Sequence, residues 1–219
     1  MSIPSNLETI KKSLPEHVTL VAVSKTKPIA DLKEAYNAGQ RIFGENKIQE
    51  MTQKWEVLPK DIEWHMIGHV QRNKVKYMAP YVALIHGVDS FRLLKEIDKQ
   101  GKKNDRVINC LLQMHIAEED TKFGLDSGEL TEILHSEELS QLKNIRIMGL
   151  MGMATYTDKE AQLRREFEQL KTQFDLLQQE IPEATTLSMG MSGDYKIAIE
   201  EGSTMVRIGS SIFGVRNYN

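Results

Sequence analysis

Eight short apolar runs, separated by stretches with helical periodicity, constrain the fold of this 219-residue chain more than any other feature. The runs are rich in β-branched residues and are continuous rather than alternating, which is typical of parallel strands covered on both faces. They are VTLVAVS (18–24), RIFG (41–44), IEWHMIG (62–68), VALIHGV (82–88), VINCLLQMHI (107–116), IRIMGLMGM (145–153), TLSMG (186–190) and MVRIG (205–209). The pattern therefore predicts an α/β protein with a mainly parallel sheet.

The stretches between the runs are predicted to be helices. After the sixth run, apolar residues recur at steps of four and three, which is one face of an α-helix: Leu163, Phe167, Leu170, Phe174, Leu177 and Ile181. Thr157 and Glu160 have the spacing of a capping box and predict where this helix starts. Gly39 and Gly101 each end another helix-like segment, where glycine suits the C′ position.

About eight strand–helix units, without a linker or a shift in composition, predict a single (β/α)₈ TIM barrel over residues 1–219. An open doubly wound sheet is the alternative, and the count of units favours the barrel. The functional site of such a barrel lies at the carboxyl ends of its strands. The candidates at those positions are Lys25, Gly44, Glu45, Asn46, Gly68, His69, Gln71, Asp89, Ser90, Lys122, Gly190, Met191, Ser192, Gly209, Ser210 and Ser211.

The last two loops combine glycine with hydroxyl side chains. MGMSGD follows the seventh run and RIGSSIFG includes the end of the eighth. Barrels frequently hold a phosphate group between these two loops, using backbone N–H groups at the start of a short helix. Glycine lets the backbone approach and serine adds a donor. These loops predict a phosphate site, although ordinary turns have the same composition.

Lys25 follows the first run directly, in the segment VAVSKTKP. A lysine at a strand end is most often one whose stem lies on apolar surface and whose charge reaches water. The functional alternative is a lysine that forms a Schiff base, for which the amine must be uncharged. A phosphate site on the same rim favours this alternative, because pyridoxal 5′-phosphate carries both an aldehyde and a phosphate.

Arg207 lies inside the apolar run MVRIG and needs a partner, because an arginine keeps its charge in proteins. One hypothesis pairs it with Glu45 or another carboxylate in the barrel. The other lets it donate to the pyridine nitrogen of the cofactor, which would keep that nitrogen unprotonated and weaken the ring as an electron sink.

Composition and charge exclude few folds, but they argue against nucleic acid and membranes as partners. A net charge of −3 gives no general attraction for nucleic acid or an anionic membrane. No apolar stretch approaches the roughly 20 residues of a membrane helix, and the polar start lacks the apolar region of a signal peptide. We therefore expect a cytoplasmic protein. Cys110 is expected to be a small buried hydrophobe.

Five segments together resemble the pyridoxal phosphate homeostasis proteins, relatives of the N-terminal barrel domain of alanine racemase. The segments are VAVSKTKP, FGENKIQE, WHMIGHVQRNK, GLMGMAT and LSMGMSGDYKIAIEEGSTMVRIGSSIFG, and the resemblance extends from about Val18 to Arg216. Two positions depart from the family pattern or vary within it: Val70 replaces a more usual leucine, and position 69, here His, is variable.

The resemblance implies a single-domain barrel that holds pyridoxal 5′-phosphate on Lys25, the lysine of its V-S-K-T motif. It also implies that Arg207 faces the pyridine nitrogen and that Asn46 lies near the cofactor. Met189 is expected to make a packing contact. The phosphate is expected at Ser192, Gly209 and Ser210. His65 is expected near the barrel interior, with no role assigned.

Weaker patterns point elsewhere. His65 and His69 have a spacing that joins two zinc ligands on a helix, but their surroundings predict a strand. The basic segment QRNKVKYM (71–78) is predicted to be a solvated helix face rather than a nucleic-acid site. Lys122 is predicted to be a loop lysine, and its use as a second acceptor for the cofactor is a hypothesis.

Three functions fit these residues. The first is a carrier that binds pyridoxal 5′-phosphate and helps to regulate its supply, with apo-enzymes as candidate partners. The second is an amino acid racemase or decarboxylase, and the third is an aldolase-like barrel enzyme. Racemisation needs an acid or base on each face of the substrate, and Lys25 supplies only one. Alanine racemases carry a further β-domain that completes their dimeric site, and the chain ends soon after the eighth run. We therefore expect a monomeric carrier without strong turnover.

Overall fold

In the computed structural model of this chain, eight parallel strands form a closed barrel in their order along the sequence. The structure describes residues 2–118 and 123–214. β1 pairs with β2 and also with β8, which closes the sheet on itself. The strands are β1 (Thr19–Val23), β2 (Ile42–Glu45), β3 (Glu63–Met66), β4 (Leu84–Val88), β5 (Ile108–Gln113), β6 (Ile145–Met151), β7 (Thr186–Met191) and β8 (Met205–Ile208). The predicted (β/α)₈ barrel is confirmed and the open doubly wound sheet is wrong.

Helices connect the strands and cover the outside of the barrel. In the described ranges they are α1 (Ile3–Ser13), α2 (Ile29–Asn37), α3 (Ile48–Val57), α4 (Val75–Met78), α5 (Phe91–Lys103), α6 (Ser127–Leu134), α7 (Glu160–Glu180), α8 (Tyr195–Glu200) and α9 (Ser210–Phe213). Short 3₁₀ turns occur at Arg72–Lys74 and Glu137–Gln141. Throughout residues 2–118 and 123–214, no helix has both the length and the apolar character needed to cross a lipid bilayer.

The capping box predicted at the start of α7 is wrong. That helix begins at Glu160 after Lys159 without a side-chain cap, and the hydroxyl of Thr157 accepts from the N–H of Lys159 (3.2 Å) instead. The reciprocal pattern occurs instead at α6, where Asp126 accepts from the N–H of Glu129 (2.8 Å) and the Glu129 side chain accepts from the N–H of Asp126 (3.0 Å). These bonds satisfy N–H groups that the first turn leaves without helical partners.

Glycine marks one of the two predicted helix ends. Gly39 follows α2 with φ of +87°, as expected for a C′ glycine. Gly101 does not end α5, which continues to Lys103. A Cβ at Gly101 would lie 2.6 Å from the carbonyl oxygen of Asn144, so this glycine allows the helix to approach the segment before β6. The second prediction is wrong because a close backbone contact explains the glycine.

Apolar side chains fill two layers, because successive residues of a strand point to opposite faces. One layer lies inside the barrel: Val21, Ile67, Leu84, Leu111, Met151 and Met205. The other lies between strands and helices, and the predicted face of α7 contributes Leu163, Phe167, Leu170, Phe174 and Leu177 to it. Burial of each such large side chain stabilises the fold by about 1.5–3 kcal/mol. The barrel interior also contains polar side chains, and these belong to the site.

Candidate functional site

Lys25 lies in a tight turn directly after β1 and is partly buried. The N–H of Ser24 donates to the carbonyl of Gly44 in β2 (3.0 Å), and the N–H of Lys27 donates back to the carbonyl of Ser24 (3.1 Å). Between them, Thr26 has φ of 64°, a left-handed conformation that costs an L-residue about 1–2 kcal/mol. The turn fixes the backbone of Lys25 at the carboxyl end of its strand, where the sequence predicts the site.

A nearly buried lysine on α3 holds this turn from one side. The ammonium group of Lys54 donates to the carbonyl of Ser24 (2.8 Å), to Oε1 of Glu45 (2.7 Å) and to Oε1 of Glu50 (2.8 Å). The Ser24 hydroxyl also donates to Glu45 Oε1 (2.6 Å), and the N–H of Thr26 donates to Glu50 Oε1 (2.6 Å). Two carboxylates and one ammonium group therefore bind both ends of the turn.

Glu45 is the most deeply buried member of this group, with no exposed side-chain surface. Burial raises the pKa of its carboxyl group, while the neighbouring charge and hydrogen bond of Lys54 and the Ser24 hydroxyl act to lower it. Its second oxygen, Oε2, has no hydrogen-bond partner among the described residues. The ionised form of Glu45 therefore depends on the ammonium group of Lys54.

Arg207 is buried inside the barrel, opposite Val21 of β1. Its Nη1 donates to the carbonyl (2.8 Å) and the hydroxyl (2.6 Å) of Ser188 on β7, and its Nη2 donates to the carbonyl of Gly152 (3.0 Å). Burial lowers the pKa of Arg207 to about 10, with the charge of Asp194 opposing that change. Arg207 is therefore a fixed cation at neutral pH.

The hypothesis that Glu45 is the partner of Arg207 is wrong. Glu45 lies at the end of β2 and its bonded oxygen is taken by Lys54 and Ser24. Backbone carbonyls and a serine hydroxyl take the place of a carboxylate around Arg207. The guanidinium charge is thus held by dipoles, without a directly bonded anion among the described residues.

Two buried histidines extend the hydrogen bonds of Ser188 across the interior. Nδ1 of His86 lies 3.1 Å from the Ser188 hydroxyl, and Nε2 of His86 lies 3.0 Å from Nδ1 of His65. Burial lowers the pKa of His65 to about 3. Burial, followed by the electrostatic effects of the His65 ring and the Arg207 charge, lowers the pKa of His86 well below its ordinary value. Both rings are therefore neutral at neutral pH, and each has one donor and one acceptor nitrogen.

The segments predicted to bind phosphate come together at the β7 and β8 ends. The N–H of Gly209 donates to the hydroxyl of Ser192 (3.3 Å). A Cβ on Gly209 would lie 3.0 Å from the carbonyl oxygen of Val23, two residues before Lys25, so glycine permits this close approach. Ser210 begins α9, whose first turn leaves N–H groups without helical partners. The predicted grouping of Ser192, Gly209 and Ser210 is present beside the Lys25 turn.

Asn46 and Met189 differ in their placement. Asn46 follows β2 and is partly buried, and a Cβ at Gly68 would lie 2.4 Å from its carbonyl oxygen, so the ends of β2 and β3 are in close contact there. Met189 is fully buried in the layer between strands and helices, with its neighbour Ser188 facing the interior. The structure therefore does not bring the Met189 side chain together with Arg207.

The weaker candidates separate in space or lie outside the described residues. His65 faces His86 inside the barrel, whereas His69 is exposed, with Nδ1 3.1 Å from Asp89 Oδ2. In the described ranges no cluster of His, Cys, Asp or Glu could hold a metal ion. Cys110 is buried, as expected, and burial raises the pKa of its thiol. Lys122 lies outside the described residues.

The sequence analysis missed Ser188, His86, Lys54 and Glu50. His86 interrupts the apolar run VALIHGV, which is the signal of a polar side chain inside a barrel strand. Lys54 lies three residues after Met51 and six after Ile48 on the buried face of α3, where a charge needs partners. A buried position for a lysine is therefore a detectable signal, although its partners are not.

Comparison with known proteins identifies relatives of similar sequence and structures of similar fold. A family model described as the N-terminal domain of alanine racemase matches residues 2–217. The pyridoxal phosphate homeostasis protein of Aquifex aeolicus is 42% identical over 201 residues, which cover 91% of this chain and 87% of that protein. The protein of the same name from Escherichia coli strain K12 is 39% identical over 212 residues, covering 94% and 88% of the two chains.

Solved structures agree. PipY of Synechococcus elongatus PCC7942, solved with pyridoxal phosphate bound, has a TM-score of 0.89 and 38% identity, covering 97% of this chain and 100% of that one. An alanine racemase of Clostridium difficile 630 has a TM-score of 0.81 at 15% identity, covering 100% of this chain and 57% of the racemase, which shows a shared fold alone. This chain belongs to the pyridoxal phosphate homeostasis proteins of the alanine racemase N-terminal domain family.

Proposed function

We propose that this chain binds pyridoxal 5′-phosphate at the barrel mouth, joined covalently through Nζ of Lys25, and acts in the homeostasis of that cofactor. Its relatives are named for this role, and PipY was solved with the same molecule bound. The observation that carries the proposal is the pairing of β1 with β8. Arg207 lies opposite Val21, on the strand that leads into Lys25, so adjacent strands present the guanidinium and the amine to one site.

Arg207 fits the role of donor to a ring nitrogen. Ser188 and Gly152 take three of its five N–H groups; the Nε–H and one N–H on Nη2 have no acceptor in the described part of the chain. These remaining N–H groups of the buried guanidinium suit the lone pair of an acceptor such as the pyridine nitrogen. Because Arg207 keeps its proton at neutral pH, it donates and leaves the nitrogen opposite it unprotonated.

Ser192, Gly209 and Ser210 fit a phosphate group. The hydroxyls of Ser192 and Ser210 and the N–H groups of the first turn of α9 supply donors, and Gly209 leaves the backbone accessible. We propose that Asn46, at the joined ends of β2 and β3, completes the rim as a polar neighbour of the cofactor. Met189 contributes through the packing of β7 and its backbone.

The chemistry favours a carrier over a racemase or decarboxylase. Bound pyridoxal 5′-phosphate supplies an aldehyde that reacts with amines and a ring that withdraws electrons most strongly when its nitrogen is protonated. Arg207 opposes that protonation, so it weakens the capacity for carbanion chemistry while leaving the covalent link to Lys25 possible. We propose that the chain acts as a single-domain, monomeric, cytoplasmic carrier that can pass the cofactor to apo-enzymes; sedimentation velocity tests the monomer.

The visible spectrum of the purified protein tests the site. We expect a yellow protein whose band is bleached by borohydride, with a pyridoxyl group on Lys25 in the peptide mass map. Lys25→Ala should be colourless. Lys33→Ala is the matched control, because Lys33 lies at an exposed position of α2, and this variant should stay yellow. A pyridoxyl group on another lysine, or on none, contradicts the proposal.

The carrier role is tested separately with a panel of L- and D-amino acids. We expect no steady racemisation or decarboxylation by the yellow protein. Sustained turnover above that of free pyridoxal 5′-phosphate would make the chain an enzyme and overturn the carrier proposal.

A further inference from the structure

The ion group of Lys54, Glu45 and Glu50 acts on the neighbours of Lys25. All three N–H donors of the Lys54 ammonium group are used, by the Ser24 carbonyl and the two carboxylates. Only 6% of the Lys54 side chain and 24% of the Glu50 side chain are exposed. Charges removed from water to this extent need fixed partners, so the group has one arrangement in the folded chain.

The bonds from this group end on both sides of the reactive position. Ser24, the residue before Lys25, is held through its carbonyl by Lys54 and through its hydroxyl by Glu45. Thr26, the residue after it, is held through its N–H by Glu50 over 2.6 Å. An ion group that served only to join α3 to the barrel would not need these contacts with the turn.

Thr26 shows why the turn needs such support. Its φ of 64° is disfavoured for a β-branched residue and persists only where surrounding contacts over-determine it. The charge-assisted bond from its N–H to Glu50 supplies one such contact. Without it, the turn can relax towards an ordinary conformation, and the Cα of Lys25 moves with it.

We propose that Lys54 and Glu50 are positioning residues for Lys25, which hold Ser24 and Thr26 so that the Lys25 amine meets the cofactor aldehyde at a fixed place. This inference rests on the proposed function of Lys25. Lys54 and Glu50 act through the backbone of the turn and take no part in the bond itself. Their effect is on the rate at which the amine reaches the aldehyde.

The test measures the rate at which cofactor-free protein gains its visible band after mixing with pyridoxal 5′-phosphate. Glu50→Ala removes the acceptor of Thr26 and should slow attachment at least tenfold, while Glu50→Gln keeps an acceptor oxygen and should recover most of the rate. Glu8→Ala is the matched control, because Glu8 forms an exposed i,i+4 pair with Lys12 (2.6 Å) and should leave the rate unchanged. Hydrogen exchange of the Thr26 amide should be faster in Glu50→Ala than in the wild type, and unchanged in Glu8→Ala.

A second variant keeps the test decisive if Glu50→Ala fails to fold. Thr26→Gly combined with Glu50→Ala removes the strain, because glycine adopts positive φ without steric cost. The turn in this double variant still lacks the bond from residue 26 to Glu50 that fixes it, so we expect the variant to fold and still to attach the cofactor slowly. A folded protein with Glu50→Ala, alone or combined with Thr26→Gly, that attaches the cofactor at the wild-type rate overturns the positioning role. If pyridoxal 5′-phosphate never becomes attached to Lys25 in the wild-type protein, the proposed function is contradicted instead.

Discussion

Arg207 of β8 donates two hydrogen bonds to Ser188 of β7, one to its carbonyl over 2.8 Å and one to its hydroxyl over 2.6 Å. The same hydroxyl lies 3.1 Å from His86, so one oxygen atom joins a buried cation to a buried neutral ring. The direction of the guanidinium group thus depends on a side chain that does not itself face the ligand in our proposal.

Ser188→Ala should therefore disturb the cofactor without removing Arg207. Loss of a hydrogen bond to a charged group costs about 1.5–3 kcal/mol, so we expect about tenfold weaker retention and a shifted visible band. Equilibrium dialysis and absorbance measure the two effects. Ser203→Ala is the control, because its buried hydroxyl donates to the carbonyl of Met189 (2.7 Å) and does not contact Arg207.

Arg207→Met should have the larger effect. It removes the proposed donor to the ring nitrogen, so we expect weaker retention and a changed pH dependence of the band. If retention and spectrum both match those of the wild type, the role assigned to Arg207 is wrong.

The buried histidines predict a loss of stability as pH falls. His65 and His86 have lowered pKa values in the folded state, so the unfolded chain takes up protons first, below about pH 6.5. Their stabilising contribution is present above that pH and is lost as pH falls towards the folded-state values. We expect the free energy of unfolding to fall by about 1.4 kcal/mol per pH unit for each histidine.

Urea unfolding at pH 6.5, 6.0 and 5.5 measures this slope, and His86→Gln should reduce it. The raised pKa of Glu45 has the opposite effect on the free energy of unfolding, because the folded chain binds that proton more readily than the unfolded chain. This effect is the same in the wild type and in His86→Gln, so it cancels when their slopes are compared. The exposed His17 provides the control variant His17→Gln. Equal slopes in wild type and His86→Gln would contradict the assignment.

Gly209→Ala should weaken phosphate binding more than it weakens the fold. Its φ of −121° is open to alanine, but the new Cβ would lie 3.0 Å from the Val23 carbonyl oxygen. Either β1 or the start of α9 must shift, so we expect a severalfold loss of affinity for pyridoxal 5′-phosphate and about 1 kcal/mol less stability. Gly193→Ala, where a Cβ meets nothing within 4 Å, should change neither in calorimetric titration.

Lys54→Met should strongly destabilise the cofactor-free protein. Removal of one partner from a buried ion pair leaves uncompensated charge and typically costs about 3–5 kcal/mol, whereas an exposed pair contributes about 1 kcal/mol or less. Lys12→Met, at the exposed pair with Glu8, is the comparison. Similar urea midpoints for the two variants would show that the Lys54 group is not a structural ion pair.

The barrel and the rim of the site could be predicted because both depend on local patterns. Continuous apolar runs and three-to-four periodicity indicate strands and helices, and barrel topology places the residue after each strand on one rim. Lys25, Ser192 and Gly209 lie where this reasoning puts them. Their roles towards the cofactor remain predictions.

The contacts inside the barrel could not be predicted, because they join residues from distant strands. His86 and Ser188 come into contact because β4 and β7 lie in the same closed barrel. The sequence around either residue does not indicate that the other is its partner. Helix ends are hard to predict for the same reason. Gly101 is explained by its close approach to the carbonyl of Asn144, which is distant in the sequence, and not by a helix terminus.

Closure of β1 on β8 has a consequence for synthesis. Lys25 leaves the ribosome early, while Arg207, Gly209 and Ser210 belong to the last strand and its helix, so a nascent chain carries the amine before the residues proposed to bind the ring nitrogen and the phosphate. In our proposal, stable capture of the coenzyme therefore requires that β1 and β8 have paired, and the visible band would report that pairing.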